Sequence, residues 1–561
     1  MKIKPFVLVF LLLFPHFIIP RPAFSLSFTD PSDPDELALH LTEQMTDEQA
    51  LAQTFMLGWV GAEPSPLIRE WIQNRNIGGV KIFGWNTEDT RKLAETVGEL
   101  QTEALGTQFN IPLLVATDQE GGLVRHVKGE TSETPGNMAI GASGRPMDSY
   151  LSGYYIGREL SLLGINMNFA PTVDLYTNQN STVIGPRSFG SDPVMAGILG
   201  AAFVKGLKET GVIATAKHYP GHGDTDLDSH GVLPKINATF DVLWDRELLP
   251  YRLLSKEGLQ AVMSGHLAFP NTEAGETPAS LSPWFLKDLL RGRMGYNGLI
   301  ITDDLLMNGA TMYAGSVSRA AKMALLAGND IIMLSKTPYL NDPVWTYLLS
   351  SMKEEPEFRE RVRDACRRIL KVKLENLRGD NKVPYIPDLK KIEAGLADPE
   401  GTAFFLSLAA RSVTIVNNKN VFPLSPEKAG RVLLAGNFAD FFSTGKNAFP
   451  GAVSYQYSSP QDAWELRNYA RNADTVIFCL SDKAGSRLLD QLKQLGKRVI
   501  VFSVLSPVYL DDAFWADGAV AVYSYAPESF IAGFSAILGR IPGEGKLPFL
   551  LGEKQQVSAG N

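Results

Sequence analysis

Between about residue 33 and residue 350 the sequence repeats one unit eight times, a short apolar β-type run followed by a stretch of helical period. The runs are TFMLGWV (54–60), GGVKIF (78–83), PLLVATD (112–118), INMNFAP (165–171), VIATAKH (212–218), AVMSGH (261–266), GLIITDD (298–304) and DIIMLS (330–335). Between them lie amphipathic segments such as SPLIREWIQNR, TRKLAETVGELQTEAL, PVMAGILGAAFVKGLKE and SVSRAAKMALLAG. Short apolar runs bounded by helices describe strands covered on both faces, and hence a parallel sheet. Eight such units predict a (β/α)8 TIM-type barrel over residues 33–377. The competing arrangement is an open doubly wound sheet, which rarely repeats its unit so often.

A chain of 561 residues exceeds one ordinary core. MKEEPEFRERVRDACRRILKVKLENL (352–377) reads as a long helix closing the barrel, and the turn formers and prolines after it predict a linker over 378–389. Beyond it RVLLAG, DTVIFCL, RVIVFSVLS and AVAVYSY alternate with helical stretches, predicting a smaller C-terminal α/β sandwich domain over 390–561. At the other end, lysines precede an apolar run and AFS (23–25) offers the small residues that a signal peptidase reads. Residues 1–25 are therefore expected to be a signal peptide and the protein to be exported, periplasmic or secreted. Pro15 and Pro20 break the apolar run and disfavour a stable membrane span. A net charge of −8 without a basic run gives no footing for nucleic acid. Cys366 and Cys479 sit in apolar-patterned segments, as expected of buried thiols, and two cysteines exclude a cysteine-built zinc site.

In such barrels chemistry gathers where strands end and loops begin. Asp118 ends the third run, Lys217 and His218 the fifth, His266 the sixth, and Asp303 and Asp304 the seventh. After the fifth run comes KHYPGHGDTDLDSH (217–230), a loop dense in histidine and aspartate. His218, His222, Asp228 and His230 have the donor types of a metal site, as in metal-dependent barrel hydrolases. No His-x-His pair closes the first run and no carboxylate cage appears, so neither metal nor cofactor is expected. The alternative is proton chemistry. Asp228, two residues before His230, can accept one imidazole N–H, fix the tautomer and leave the other nitrogen for substrate. Asp303 then supplies a carboxylate able to attack an anomeric carbon from the opposite side of a sugar ring. Asp304 suits a helix N-cap better than Asp303 does.

KHYPGHGDTDLDSH resembles the signature of the β-N-acetylglucosaminidase branch of glycoside hydrolase family 3. ATDQEGG, NFAPTVDL, IGPRSFGSDP and GLIITDDLLM are similar to further blocks of that branch, in the same order. The resemblance implies Asp303 as nucleophile and His230 as acid/base, with Asp228 as its partner. It implies Asp118, Arg187, Lys217 and His218 as grips on sugar hydroxyls and Met307 at the substrate pocket; His266 is expected there from its place at a strand end. The expected activity is removal of terminal β-linked GlcNAc by a retaining exo-β-N-acetylhexosaminidase acting on peptidoglycan fragments or chitin oligosaccharides. A β-glucosidase, a β-xylosidase or a phosphorylase of the same family is the nearest alternative. This chain departs from the pattern after DQEGG, where family members often carry arginine and it reads LVRHVKG, leaving Arg125 or His126 as the replacement. Glycines 221 and 223 are expected to let the loop swing over bound sugar.

Overall fold

The computed structural model describes residues 26–225 and 227–552. The expected signal peptide lies outside the described residues. Eight parallel strands close into a barrel: β1 (Phe55–Gly58), β2 (Gly79–Lys81), β3 (Leu114–Thr117), β4 (Met167–Asn168), β5 (Ile213–Tyr219), β6 (Ala261–Ser264), β7 (Leu299–Asp304) and β8 (Ile331–Leu334). They pair in chain order, and β1 meets β8 with Phe55 opposite Ile332. Every predicted run holds one strand. The helices between them begin where sequence chemistry starts them. Asp89, Asp192 and Ser316 accept N–H groups of the first turns of Thr90–Leu105, Pro193–Lys208 and Val317–Ala327.

Strand side chains alternate between two apolar clusters, as a pleated strand covered on both faces requires. Met56, Leu114, Ala116, Met167, Ile213, Met263, Leu299, Ile301 and Met333 fill the interior. Leu57, Val80, Val115, Ala214, Val262, Ile300 and Ile332 face the helical ring. The lower mouth is plugged: Phe28, Leu37 and Leu41 meet Cys366, Ile369 and Leu370 of the helix Pro356–Asn376 in the interior cluster. Both cysteines are buried free thiols.

At that lower rim, Asp330 at the start of β8 is fully buried. It accepts from Arg291 Nη2 at 2.7 Å, Arg361 Nη2 at 2.9 Å and Arg368 Nε at 3.3 Å, and from the Ile300 N–H. One carboxylate thus ties the barrel floor to two outer helices.

The second unit is a six-stranded sheet of β9 (Thr414–Asn418), β10 (Val432–Gly436), β11 (Val453–Gln456), β12 (Thr475–Leu480), β13 (Arg498–Ser503) and β14 (Gly518–Ala521). Its order is β9-β14-β13-β12-β10-β11, parallel except for β9. An apolar cluster covers each face, giving an α/β sandwich. The helices Leu389–Gly395 and Pro399–Ser412, which precede β9, place Ile392, Phe404, Phe405 and Leu408 in the barrel's outer cluster. The sandwich also leans on the loop after β4. The rings of Phe549 and Tyr176 meet edge to face at 4.9 Å, and Ser191 N–H donates to Pro548 O. No helix among the described residues is long and apolar enough to cross a membrane.

Removing a partner from a buried ion cluster strands the remaining charges, at a cost of about 3–5 kcal/mol. Asp330→Asn should lower stability by about that amount in urea unfolding, with near-unchanged kcat in the folded fraction, because the cluster lies at the end opposite the strand C-termini.

Candidate active site

The C-terminal ends of the strands open into a cavity of about 470 Å³. It is lined by Asp118, Arg187, Lys217, His218, Asp228, His230, Asp303 and Met307, which the sequence singles out. Two irregularities in the sheet help to aim them. Between the pairs Ala216–Val262 and Tyr219–Ser264, Lys217 and His218 face one residue of β6; between Ile301–Ile331 and Asp304–Met333, Thr302 and Asp303 face one residue of β8. An extra residue on one strand re-aims the side chains beside it.

The cavity floor is a chain of ions. Lys217 Nζ reaches Asp118 Oδ1 at 2.5 Å and Glu120 Oε1 at 2.7 Å. Glu120, only 1% exposed, also takes Nε and Nη2 of Arg187 at 3.0 and 2.7 Å, a two-toothed contact. Asp118 Oδ2 takes Lys81 Nζ at 2.7 Å. Burial pushes the Glu120 carboxyl up, but Arg187 and Lys217 outweigh it and hold it at about 2. Asp118 is likewise raised by burial and then drawn well below the usual carboxylate range by Lys217, Lys81 and His126. Burial pushes Lys217 down, yet Asp118 and Glu120 carry it above its ordinary value.

His218 stands on a second anchor. Its Nδ1 is 2.7 Å from Asp174 Oδ2, which leaves Nε2 as its second ring nitrogen. Buried Asp174 also accepts the His218 and His222 backbone N–H groups, at 3.2 and 2.7 Å. Asp303 lies across the cavity with Oδ1 accepting from Asp304 N at 2.8 Å. Burial pushes its carboxyl up, but His218, His266, the Asp304 N–H and Lys217 together hold it below the usual carboxylate value. It is an anion without a salt-bridge partner among the described residues.

The dyad sits at the mouth. His230 Nδ1 is 2.7 Å from Asp228 Oδ1, and the His230 side chain is 74% exposed. Burial raises Asp228, while the His230 N–H and ring together outweigh it and bring the carboxyl below its ordinary value. Ser229, between the two, is buried, and its carbonyl accepts from Gly309 N at 3.1 Å, pinning the dyad to the helix that follows β7.

Several expectations change. His266 is fully buried and does not line the cavity; Ser280 Oγ holds its Nδ1 and the Asp304 carbonyl its Nε2. Asp304 caps no helix, and its Oδ1 accepts from Leu306 N and Ser335 N, tying the end of β7 to the end of β8. Glycines 221 and 223 lie in close contact with neighbouring segments of the chain. A Cβ on Gly223 would lie 1.5 Å from the Leu175 carbonyl oxygen, and one on Gly221 would strike Glu247. Close approach explains the glycines, and among the described residues of the loop Leu227, Asp228 and His230 are exposed. Of the two arginine replacements, Arg125 turns away to Thr131 O and Glu133, whereas His126 lines the cavity. Lys81, Glu120 and Asp174 were not singled out from sequence. Among the described residues no group of three or more His, Cys, Asp or Glu side chains is arranged to hold a metal ion.

An ion-lined pocket at the C-terminal rim of a closed barrel is the place where enzymes of this fold, glycoside hydrolases among them, carry their active sites. The family profile described as "Glycosyl hydrolase family 3 N terminal domain" matches residues 47–372, more than half of the chain. The chain belongs to glycosyl hydrolase family 3. It is 32% identical over 381 residues to Beta-hexosaminidase A of Pseudoalteromonas piscicida, covering 64% of this chain and 62% of that protein. It is 37% identical over 282 residues to Beta-hexosaminidase of Tolumonas auensis, covering 50% and 81%. A glycoside hydrolase family 3 beta-N-acetylglucosaminidase from Paenibacillus sp. str. FPU-7 superposes with a TM-score of 0.81 at 28% identity, over 90% of this chain and 99% of that one. The chain thus spans less than two thirds of the Pseudoalteromonas protein, and nearly all of the Paenibacillus structure.

Glu120 gives a pH signature. A carboxyl drawn from 4.5 to about 2 on folding contributes on the order of 3 kcal/mol above pH 4.5, lost as pH falls toward 2. The stability gap between wild type and Glu120→Gln should be full at pH 7 and narrow steadily below pH 4.5 in urea titrations.

Proposed function

We propose that this chain is a retaining exo-β-N-acetylhexosaminidase that removes terminal β-linked GlcNAc. The observation that carries the proposal is the presence of Asp303 and the Asp228–His230 pair on one cavity, with the ionic floor between. Lys217, Asp118, Arg187 and His218 supply donors and acceptors fixed before substrate arrives, which suits a ring held by its hydroxyls. Asp303 attacks the anomeric carbon as the Nε2–H of protonated His230 gives its proton to the leaving oxygen. The same nitrogen then takes a proton from water as the glycosyl–Asp303 ester is hydrolysed. Asp228 holds Nδ1–H in both steps, so the working nitrogen stays directed inward. A closed-barrel pocket of this volume supports action at a chain end. The names of the Pseudoalteromonas and Paenibacillus relatives support the N-acetyl sugar.

Peptidoglycan fragments and chitin oligosaccharides both end in the required sugar. Export belongs to the same proposal, and rests on the lysine, apolar and AFS pattern of residues 1–25. If export is correct, intact-mass analysis of protein recovered outside the cytoplasm should place its first residue near Leu26.

Aryl β-glycosides test the chemistry. Asp303→Ala should cut kcat on aryl β-GlcNAc by roughly 10⁴-fold, and a fluorinated substrate should leave its sugar on the peptide containing Asp303 in wild type. His230→Ala should slow poor leaving groups by roughly 10²–10⁴-fold and activated ones far less. Equal losses for both leaving groups, or an adduct elsewhere, would overturn the assignment.

A further inference from the structure

His126, five residues past Gly121 in DQEGGLVRH, is paired by the structure with a lysine from another strand. Lys81 ends β2 inside the barrel and is 1% exposed. Its ammonium has three N–H groups and three acceptors: Asp118 Oδ2 at 2.7 Å, the Ile82 carbonyl at 2.7 Å and His126 Nδ1 at 3.3 Å. An ammonium cannot accept a hydrogen bond, so Nδ1 must be the acceptor and the imidazole proton resides on Nε2. The residue is held firmly. His126 N–H donates to Asp118 O at 3.0 Å, Thr87 Oγ1 donates to His126 O at 2.7 Å, and the Phe83 ring flanks the imidazole at 5.8 Å. Its side chain is 30% exposed and lines the cavity, and among the described residues Nε2 has no protein partner.

We infer that His126 is a substrate-binding residue whose Nε2–H donates to a hydroxyl of the bound sugar ring, and that Lys81 is the positioning residue that fixes this tautomer. The inference rests on the glycosidase reading of the pocket, though not on which sugar is preferred. The groups facing the imidazole are Lys81 from β2, Asp118 at the end of β3, Glu120 beyond it and Lys217 from β5. Burial, then Lys81, holds the ring at about 4 against the pull of Asp118, so it stays a neutral donor over the working range. A single neutral donor here suits an unmodified hydroxyl. Lys81 has no N–H left for an anionic substituent.

The alternative is that His126 only covers Lys81. The two separate by amide position, since a Gln amide nitrogen reaches the place of Nε2 and an Asn nitrogen that of Nδ1. On whichever aryl β-glycoside the wild type turns over best, His126→Ala and His126→Asn should raise KM roughly tenfold with kcat within about twofold. His126→Gln should recover most of that loss. Lys81→Met frees the ring to place its proton on Nδ1 toward Asp118, so its KM should exceed wild type above about pH 7. The ratio should shrink as pH falls through the ordinary imidazole value of ~6.5, where both nitrogens carry protons. Adding His126→Gln to Lys81→Met should abolish that pH dependence. An unchanged KM in His126→Ala, equal rescue by Asn and Gln, or a Lys81→Met ratio flat with pH would overturn the inference. If Lys81→Met does not fold, the Gln–Asn contrast decides it. Failure of the functional reading looks different: Asp303→Ala would stay active, or a sugar other than GlcNAc would be preferred.

Discussion

The structure of the site depends on one contact, the Lys217 ammonium held between Asp118 and Glu120. Lys217 and Glu120 are buried and Asp118 is half-buried, and a lone charge there would be expensive. The arrangement persists because the ions come in a linked series: Lys81, Asp118, Lys217, Glu120, Arg187. They come from β2, β5 and the segments after β3 and β4, so the series binds four successive sectors of the barrel rim to one another. A floor fixed in this way need not reorganise as charge moves during reaction, and fixed dipoles and ions are the largest electrostatic contribution an enzyme can make.

The two ends of the barrel divide the work. Below, Asp330 and three arginines tie the floor of the barrel to its outer helices and face no cavity of the site. Above, similar ion pairs leave atoms accessible to a ligand. The C-terminal sandwich serves the upper end indirectly. It braces Tyr176 and Gly190, and the intervening loop carries Arg187; Ser188 Oγ in that loop donates to the carbonyl of Asp174. A domain with no lining residue thereby bears on the positions of Arg187 and His218.

Much of this was legible in the sequence because its cause is local. A buried parallel strand needs a continuous apolar run, and the residue that ends the run sits on the rim; Asp118, Lys217, His218 and Asp303 follow from those two facts. His266 obeys the same rule and still faces away from the cavity, because Ser280 and the Asp304 carbonyl engage both ring nitrogens. Lys81 was hidden inside GGVKIF, which reads as an ordinary apolar strand. Its neighbours Val80 and Ile82 face the helices, so period-2 alternation turns Lys81 inward, and a charge facing a barrel interior was the available signal. Glu120 and Asp174 have no such local mark. Their importance comes from Arg187, 67 positions from Glu120, and His218, 44 positions from Asp174. The glycines of the loop mislead for the same reason: flexibility is a property of the residue, but the Leu175 carbonyl lying against Gly223 is a property of the fold.

Charge balance gives a physical reason for an imidazole at residue 230. Three cations, Lys81, Lys217 and Arg187, and five carboxylates, Asp118, Glu120, Asp228, Asp303 and Asp304, line this cavity, so carboxylates outnumber the lysines and arginine on its walls. The transition state of glycoside cleavage carries positive charge on the ring, and Asp303, unlike Asp118 and Glu120, has no salt-bridge partner among the described residues. A second carboxylate as acid/base would have to stay protonated beside that anion before the first step and then ionise in the same small space. In the proposed mechanism a histidine avoids this repulsion: it would enter the step as a cation and leave it neutral, with Asp228, outside the ionic floor, compensating its charge. The pair sits at the exposed mouth, with the loop pinned through Ser229, so its proton exchange with water stays open.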